Sequence, residues 1–198
     1  MGISLKPYYQ EGGITIYCGD CREILPELPK VDLVLTDPPY PDCHPEFGDC
    51  DISFLNTFDC RQLVFWSAKV DFPLDYTAIH IWHKYIGFGC EYERLFERNG
   101  KARFQVFKAH VITNKVTALR SNDIFTKHPT QKPQYLISRL IEYACPHNGI
   151  ILDPFLGSGT TAYCAKKLNH KCIGIEISEE YCAIAKKRLS QSVMKLEA

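Results

Sequence analysis

The sequence predicts an α/β fold built on a doubly wound sheet. Short apolar runs rich in β-branched residues alternate with stretches of helical periodicity, which is the pattern of repeated strand–helix units. A chain of 198 residues with 45% hydrophobic content buries one substantial core, so we expect a single domain over residues 1–198. We find neither an apolar run of about 20 residues nor a signal-peptide pattern and expect a soluble, cytoplasmic protein.

Six runs are predicted as strands because apolar residues follow one another and turn residues bound them. They are Ile14–Tyr17, Val31–Leu35, Leu63–Trp66, Ala78–Trp82, Ile150–Leu152 and Cys172–Ile175.

Three helices are predicted in the last third of the chain. The first lies between Pro133 and Pro146, where apolar residues recur at helical spacing. The second runs over Ser158–Leu168, after a glycine turn, and the third begins at Ser178, a suitable N-cap. The stretch Pro41–Phe58 is rich in Pro, Asp, Gly and Cys and is predicted to be a long loop.

Positive charge is concentrated in one part of the chain, although the formal net charge is zero. Residues 94–132 hold nine basic and two acidic residues, which favours a cationic surface for phosphates. The alternative is an ordinary solvated surface. The candidate DNA-contacting residues are Arg94, Arg98, Lys101, Arg103, Lys108, Lys115, Arg120 and Lys127.

The ten cysteines are interpreted as reduced thiols. Cys164, Cys172 and Cys182 fall inside predicted strands and helices, where cysteine behaves as a small buried hydrophobe. Metal-ligand spacing occurs at Cys18-x-x-Cys21 and in the loop that holds Cys43, His44 and Cys50. No second pair stands at the distance a zinc site needs, so no metal is predicted.

The first motif with chemical content is Asp37-Pro38-Pro39-Tyr40, here called the acceptor turn, which follows a predicted strand. A residue before proline is extended, and proline has no N–H to donate, so the turn presents hydrogen-bond acceptors. A carboxylate and carbonyls beside an aromatic ring suit a planar group that bears an NH2. Acceptors on its hydrogens localise the nitrogen lone pair and stabilise positive charge during attack on a methyl sulfonium. An ordinary strand-ending turn is the alternative.

The second motif, here called the glycine loop, is Asp153-Pro154-Phe155-Leu156-Gly157-Ser158-Gly159-Thr160-Thr161. Its glycines let a ligand approach the backbone, and the helix that follows offers free N–H groups. Glu176 ends the next strand, at the distance where a carboxylate can bind a ribose diol. The absence of a full Gly-x-Gly-x-x-Gly and of a Walker lysine favours S-adenosylmethionine over a nicotinamide, a flavin or a nucleoside triphosphate.

These motifs closely resemble those of the DNA amino-methyltransferases that modify N6 of adenine or N4 of cytosine. The order resembles the circularly permuted β class, in which Asp-Pro-Pro-Tyr precedes the cofactor motif. His128-Pro129-Thr130-Gln131-Lys132-Pro133 is similar to the family's Pro-Thr-x-Lys-Pro element, and Gly19-Asp20 ends the strand that reaches the cofactor's adenine. The resemblance implies a Rossmann-like fold with a mixed seven-stranded sheet and helices on both faces.

The resemblance also assigns the site. It implies that the acceptor turn residues Asp37, Pro38, Pro39 and Tyr40 are catalytic and that Tyr40 stacks on a flipped-out base. The residues it implies for S-adenosylmethionine are Asp20, Thr130, Lys132, Asp153, Pro154, Phe155, Gly157, Ser158, Gly159, Thr160, Thr161 and Glu176. The domain would comprise a catalytic half of about residues 12–96, a basic segment of about 94–127 and a cofactor half of about 128–190.

The expected activity is methyl transfer to N6 of adenine in double-stranded DNA, because Asp at the first motif position is most associated with adenine in the family. Only about 30 residues separate Glu97 from Lys127, so we expect short or loose sequence recognition, extended by a second copy or a specificity partner. A bacterial, archaeal or phage origin fits such an enzyme.

Other functions remain open at this point: cytosine-N4 methylation, RNA adenine methylation, and a catalytically silent DNA-binding subunit. Protein-glutamine methyltransferases carry the glycine motif before the catalytic turn, and the reverse order here argues against them. Trp82, with His80 and His83, is a candidate for the base pocket, although an aromatic in an apolar strand is more often core.

Overall fold

The computed structural model describes residues 6–40, 51–84, 91–101, 103–111, 123–126 and 131–191. Nine strands in these ranges form one mixed sheet, in the order β1-β2-β9-β8-β3-β4-β6-β5-β7. The strands are β1 (Tyr9–Glu11), β2 (Ile14–Cys18), β3 (Leu33–Thr36), β4 (Arg61–Trp66), β5 (Ala78–His83), β6 (Tyr92–Arg98), β7 (Val106–Lys108), β8 (Ile150–Asp153) and β9 (Lys171–Glu176).

The sheet is parallel through its centre and mixed near its edges. Strands β2, β9, β8, β3 and β4 pair in parallel, whereas β6 is antiparallel to both β4 and β5. The predicted Rossmann-like fold is confirmed, with a correction to the strand number: seven strands of four or more residues are flanked by the three-residue edge strands β1 and β7.

Four α-helices accompany the sheet in the described ranges: α1 (Cys21–Ile24), α2 (Gln134–Ala144), α3 (Thr160–Lys167) and α4 (Glu179–Gln191). Helices α2, α3 and α4 share one apolar core with alternate residues of the central strands. The opposite face is covered by α1 and by two 3-10 turns, at Leu25–Glu27 and Ser53–Thr57. No helix of the described ranges is long and apolar enough to cross a membrane.

Strand β6 was missed because its sequence, Tyr-Glu-Arg-Leu-Phe-Glu-Arg, carries four charges in seven residues. The structure buries the second half of this strand and pairs its charges. Glu97 is fully buried and accepts hydrogen bonds from Arg61 Nε at 2.7 Å and from the Tyr143 hydroxyl at 3.1 Å. Charges satisfied by distant side chains leave no apolar pattern for sequence reasoning to detect.

The centre of the sheet contains a topological switch point. Strands β3 and β8 are neighbours, but β3 is followed in the chain by β4 on one side and β8 by β9 on the other. Their connections therefore diverge at the carboxyl ends and leave a crevice, which is where open α/β sheets bind ligands.

Candidate active site

A cavity of about 530 Å³ lies at the carboxyl ends of β3, β8 and β9. Both predicted motifs line it, although they are more than 110 residues apart in the chain. Of the predicted site residues, those that line the cavity are Asp20, Asp37, Pro38, Pro39, Tyr40, Lys132, Asp153, Pro154, Phe155, Gly157, Ser158, Thr160, Thr161 and Glu176.

The acceptor turn begins directly after β3 and points its carboxylate into the cavity. Oδ1 of Asp37 accepts a hydrogen bond from the Tyr40 hydroxyl at 2.6 Å. The Tyr40 ring packs edge-on against Trp66, with 5.6 Å between centroids, which fixes the turn against the core. Oδ2 of Asp37 forms an ion pair with Lys132. The turn is therefore held by two side-chain donors.

Lys132 and Glu93 complete this end of the cavity. The Lys132 ammonium is 8% exposed and also lies 3.5 Å from Oε2 of Glu93. Burial alone would lower the pKa of Lys132, but the charges of Asp37 and Glu93 raise it, so the ammonium is charged at neutral pH. Burial raises the pKa of Asp37, and the Lys132 charge partly offsets that rise.

The glycine loop and Glu176 form the opposite wall. Glu176 Oε2 accepts a hydrogen bond from Gly157 N at 2.8 Å, and Oε1 accepts one from Ser178 N at 2.9 Å. Gly157 has φ of +54°, which is the left-handed region that glycine adopts most readily. The carboxylate is thus held in place by backbone donors and keeps further lone pairs for a ligand.

Asp153 sits between the two walls, at the end of β8. Its Oδ1 accepts hydrogen bonds from the Thr36 hydroxyl at 2.9 Å and from Phe155 N at 3.2 Å. Burial, with a smaller contribution from the neighbouring Asp37, raises its pKa to about 6 despite these hydrogen bonds. The Thr36–Asp153 bond ties β3 to β8 at the switch point and so couples the two walls.

Asp20 lies where the motif predicted, between β2 and α1. Its carboxylate caps α1 by accepting from Arg22 N at 2.9 Å, and it also accepts from the Arg22 guanidinium. The hydrogen bonds from Arg22 lower the pKa of Asp20. Arg22 is 70% exposed, so it can move aside for a ligand at little cost.

Two cofactor assignments need comment. Gly159 was predicted to contact the cofactor, but a Cβ at this position would lie 2.7 Å from Cβ of Ala185, so its bare Cα is needed to pack α3 against α4. Gly159 is not among the residues that line the cavity, and its contact with the cofactor stays a prediction. Thr130 lies outside the described residues.

Two of the residues predicted to contact DNA form hydrogen bonds within the fold. Arg98 is 8% exposed and donates to Gln62 Oε1 at 3.0 Å and to the Asp75 carbonyl at 2.7 Å. Arg94 donates to the Ser67 carbonyl at 2.9 Å and to the Val70 carbonyl. β6 turns both guanidinium groups toward neighbouring loops, so a DNA contact by either arginine would compete with these hydrogen bonds.

The remaining basic residues divide into two sets. Lys101, Arg103 and Lys108 are exposed beside and within β7, where phosphates could reach them. Lys115, Arg120 and Lys127 lie outside the described residues, as do Cys43, His44 and Cys50. Among the described residues, no group of His, Cys, Asp and Glu could hold a metal ion, and the seven described cysteines are free thiols.

Trp82 and His80 belong to the core, not to the cavity lining. Trp82 Nε1 donates to the Ala109 carbonyl at 3.0 Å. His80 is fully buried, with Nε2 lying 2.7 Å from Oε2 of Glu97. The ring nitrogens Trp82 Nε1 and His80 Nε2 therefore have partners within the fold, as expected if these side chains belong to the core.

An ion pair that the sequence did not suggest braces the region behind the cavity. Arg188 and Asp123 pair at 3.2 Å, and each side chain is 1% exposed. Arg188 also donates to Thr160 Oγ1 at 2.8 Å, and Asp123 accepts from Gln134 N at 2.7 Å. The pair therefore fastens the glycine loop to the segment that carries Lys132.

The family follows from comparison with known proteins. The family model for DNA methylases of the N6/N4 type matches residues 63–187, well over half of the chain. The chain belongs to this DNA methylase family. The predicted resemblance to the N6-adenine and N4-cytosine amino-methyltransferases is thereby confirmed, and the family uses S-adenosylmethionine, as the sequence predicted. The matched range contains Glu93, Lys132, the glycine loop and Glu176, whereas the acceptor turn precedes it.

Among curated relatives, this DNA methylase is 55% identical over 65 residues to the type II methyltransferase M2.LlaDCHI of Lactococcus lactis subsp. cremoris. The match covers 33% of this chain and 24% of that protein. The similar stretch thus spans about a quarter of the relative's length.

Two solved structures share the fold. The M1.HpyAVI–SAM complex superposes with a TM-score of 0.62 at 24% identity, covering 89% of this chain and 99% of that one. The PvuII DNA methyltransferase, described as cytosine-N4-specific, superposes with a TM-score of 0.71 at 16% identity, covering 94% and 90%.

Proposed function

We propose that this DNA methylase transfers a methyl group from S-adenosylmethionine to N6 of adenine in DNA, with the base flipped out of the duplex. The observation that carries the proposal is the single cavity of about 530 Å³ that the acceptor turn and the glycine loop line together. A methyl donor and an amine acceptor must share one space for transfer to occur, and the switch point of the sheet provides it.

The residues of the glycine-loop wall fit S-adenosylmethionine. Glu176, oriented by two backbone N–H groups, suits the ribose hydroxyls, and Asp20 at the end of β2 suits the adenine amino group. Phe155 and the exposed Ile177 line the same cavity and offer apolar contact to the adenine ring. When bound, S-adenosylmethionine supplies an electrophilic methyl group on a sulfonium.

The acceptor turn acts on the target amine. Asp37 and the Pro38 carbonyl accept its two N–H bonds, which directs the nitrogen lone pair toward the methyl group. As the C–N bond forms and the C–S bond breaks, the nitrogen gains positive charge, and it then loses one proton. Asp37 receives this proton, and the raised pKa of its buried carboxyl makes it a better acceptor. Tyr40 holds Asp37 in orientation and forms the aromatic wall for the base.

DNA is held mainly through its phosphates. Lys101, Arg103 and Lys108 present an exposed cationic surface beside the edge strand β7. Phosphate contacts position DNA but carry no sequence information, so recognition is short or loose unless a second copy or a specificity partner adds contacts. We infer a cytoplasmic site of action, because that is where such DNA lies.

The test is incubation of the protein with tritium-labelled S-adenosylmethionine and genomic DNA from a strain that lacks DNA methylation, followed by mass spectrometry of the nucleosides. Labelled N6-methyladenine is expected. N4-methylcytosine as the sole product would refute the base assignment and leave the mechanism standing. Label in a parallel RNA sample but not in DNA would refute the substrate, and no label in either would favour a silent subunit.

A further inference from the structure

Lys132 has two carboxylates within reach. Its ammonium is paired with Oδ2 of Asp37, and it lies 3.5 Å from Oε2 of Glu93. The rings of Phe65 and Trp82 lie 5.0 and 5.9 Å from Nζ. Asp37 and Glu93 are therefore both close enough to pair with the ammonium.

The pairing with Asp37 conflicts with the proposed function. Both oxygens of Asp37 already accept a donor from the chain itself, Oδ1 from Tyr40 and Oδ2 from Lys132. Each oxygen of Asp37 keeps a second lone pair, but a base amine that used it at Oδ2 would lie directly beside the Lys132 ammonium. A positive charge left beside the amine would also oppose the charge that the amine gains during transfer.

Glu93 offers the ammonium a second place. Its Oε1 pairs with Lys84 at 2.5 Å, whereas its Oε2 makes no hydrogen bond within the described part of the chain. An N–H···O⁻ bond has a length of about 2.7–2.9 Å, so a shift of less than about 1 Å would bring Nζ of Lys132 to Oε2. The ammonium would stay buried and paired throughout.

We propose that Lys132 is a placeholder for the target amine: it occupies Asp37 in the free enzyme and moves onto Glu93 when the base enters. Glu93 is then a positioning residue, since it draws the ammonium off Asp37 and neutralises it. This inference rests on the proposed function, because only an amine substrate needs the oxygen that Lys132 vacates.

The charges around the ammonium agree with this exchange. Asp37 faces it from the end of β3 and Glu93 from β6, and Lys84, which follows β5, pairs with the other oxygen of Glu93. Two carboxylates beside one buried ammonium keep it charged in either place. Lys84 supports Glu93 as an anion, because its charge and that of Lys132 lower the pKa of Glu93 although burial alone would raise it.

The kinetic test compares Glu93→Gln, Lys132→Met and the double variant, with kcat and KM for DNA measured across pH 6–9. In Glu93→Gln the Lys132 ammonium has Asp37 as its remaining carboxylate partner and does not make way for the base amine. The kcat/KM for DNA is therefore expected to fall at least about tenfold. Lys132→Met leaves Asp37 without a cationic partner, which raises its pKa and moves the rising limb of the pH profile to higher pH. The double variant removes both effects and is expected to exceed Glu93→Gln severalfold at pH 7.5.

A double variant that is no better than Glu93→Gln would overturn the proposal, because Lys132 would then be needed for the reaction itself. Affinity for S-adenosylmethionine, measured by calorimetry, is expected to stay within about threefold in Glu93→Gln. A larger loss in Lys132→Met would overturn the proposal and support the cofactor contact that the motif resemblance implies for Lys132. Should Glu93→Gln fail to fold, Glu93→Asp withdraws the carboxylate by one methylene and is expected to lower kcat/KM in the same direction.

A readout without turnover separates this inference from the proposed function. In protein labelled with lysine ¹⁵Nζ, a buried, ion-paired ammonium exchanges slowly and gives a sharp signal, which Lys132→Met identifies. The signal is expected to persist in Asp37→Asn and in Glu93→Gln and to vanish in the double variant. Loss of the signal in either single variant would contradict the claim that the ammonium can pair with either Asp37 or Glu93. This result does not depend on whether the wild type methylates DNA.

Discussion

At the ends of β8 and β9 the cavity wall is fixed by backbone hydrogen bonds, whereas at the end of β3 it is fixed by side chains. Glu176 is oriented by Gly157 N and Ser178 N, but Asp37 is oriented by Tyr40 and Lys132. Backbone donors cannot leave without unfolding the loop, while side chains can change partner by rotation. The wall proposed for the cofactor is therefore preformed, and the wall proposed for the amine is able to exchange its contacts.

This difference predicts that the two walls fail in different ways. The largest effect is expected for Asp37→Ala, because removal of a main electrostatic contact to the reacting group costs about 10² or more in turnover. Cofactor affinity should stay within about tenfold, since Asp37 lies on the other wall. Methyl incorporation into DNA and calorimetry measure the two quantities, with the exposed Asp71→Ala as the matched control. Turnover above about 1% of wild type would break the assignment.

Glu176→Gln is expected to weaken S-adenosylmethionine binding about 10- to 100-fold, because a hydrogen bond to a charged group contributes about 1.5–3 kcal/mol. Glutamine keeps the length of the side chain and one acceptor oxygen, so the loop should remain folded. Titration calorimetry measures the loss, and Glu180→Gln, on an exposed glutamate of α4, is the control. An unchanged dissociation constant would mean that this wall binds a different ligand.

The preformed wall could be predicted from sequence, and the exchangeable wall only in part. The glycine loop and Glu176 are positioned by elements that adjoin them in the chain. A strand, a turn and a helix follow one another there, and each has its own sequence signal. The predicted strands and helices around them agree with the structure to within about two residues at most ends. Asp37 and Tyr40 were found for the same reason.

Glu93 was not found, because a charged residue on a charged strand gives no pattern, and its function depends on Lys132, which follows 39 residues later in the chain. Arg98 was assigned to DNA for the converse reason. Its charge is visible in the sequence, but the partners that bury it, Gln62 and Asn56, come from elements about 40 residues away. Long-range polar pairing is what sequence reasoning could not supply.

Two arginines, one buried and one exposed, test whether long-range pairing separates structural charges from DNA-binding charges. Arg98→Ala should lower the free energy of unfolding by about 2 kcal/mol or more, because it leaves buried acceptors unsatisfied. Arg103→Ala, at an exposed position, should change stability by less than about 0.5 kcal/mol and reduce the salt dependence of DNA binding by about one phosphate contact. Urea unfolding and binding at several salt concentrations distinguish them. The opposite pattern would restore Arg98 to the DNA surface.

A pH-dependent effect on stability is expected for Asp153, which joins the walls. Its pKa is raised to about 6 by burial, so the folded protein binds the proton more tightly than the unfolded chain does. The stability that this gives is present below about pH 4 and is lost as pH rises through about 6. Asp153→Asn should therefore gain stability over wild type by about 1–3 kcal/mol between pH 4 and pH 7.5. Thermal melts across this range, with exposed Asp59→Asn as control, would show no such gain if Asp153 ionised normally.

The most direct test of two separate walls in one cavity is the single-turnover rate of methyl transfer to DNA as a function of S-adenosylmethionine concentration. For Glu176→Gln the rate is expected to recover to within about tenfold of wild type at saturating cofactor, because only binding is weakened. For Asp37→Ala it is expected to stay at least about 10² below wild type at every concentration. Recovery of the rate of Asp37→Ala at high cofactor concentration, or failure of the rate of Glu176→Gln to recover, would contradict the claim that one wall binds the cofactor and the other acts on the amine.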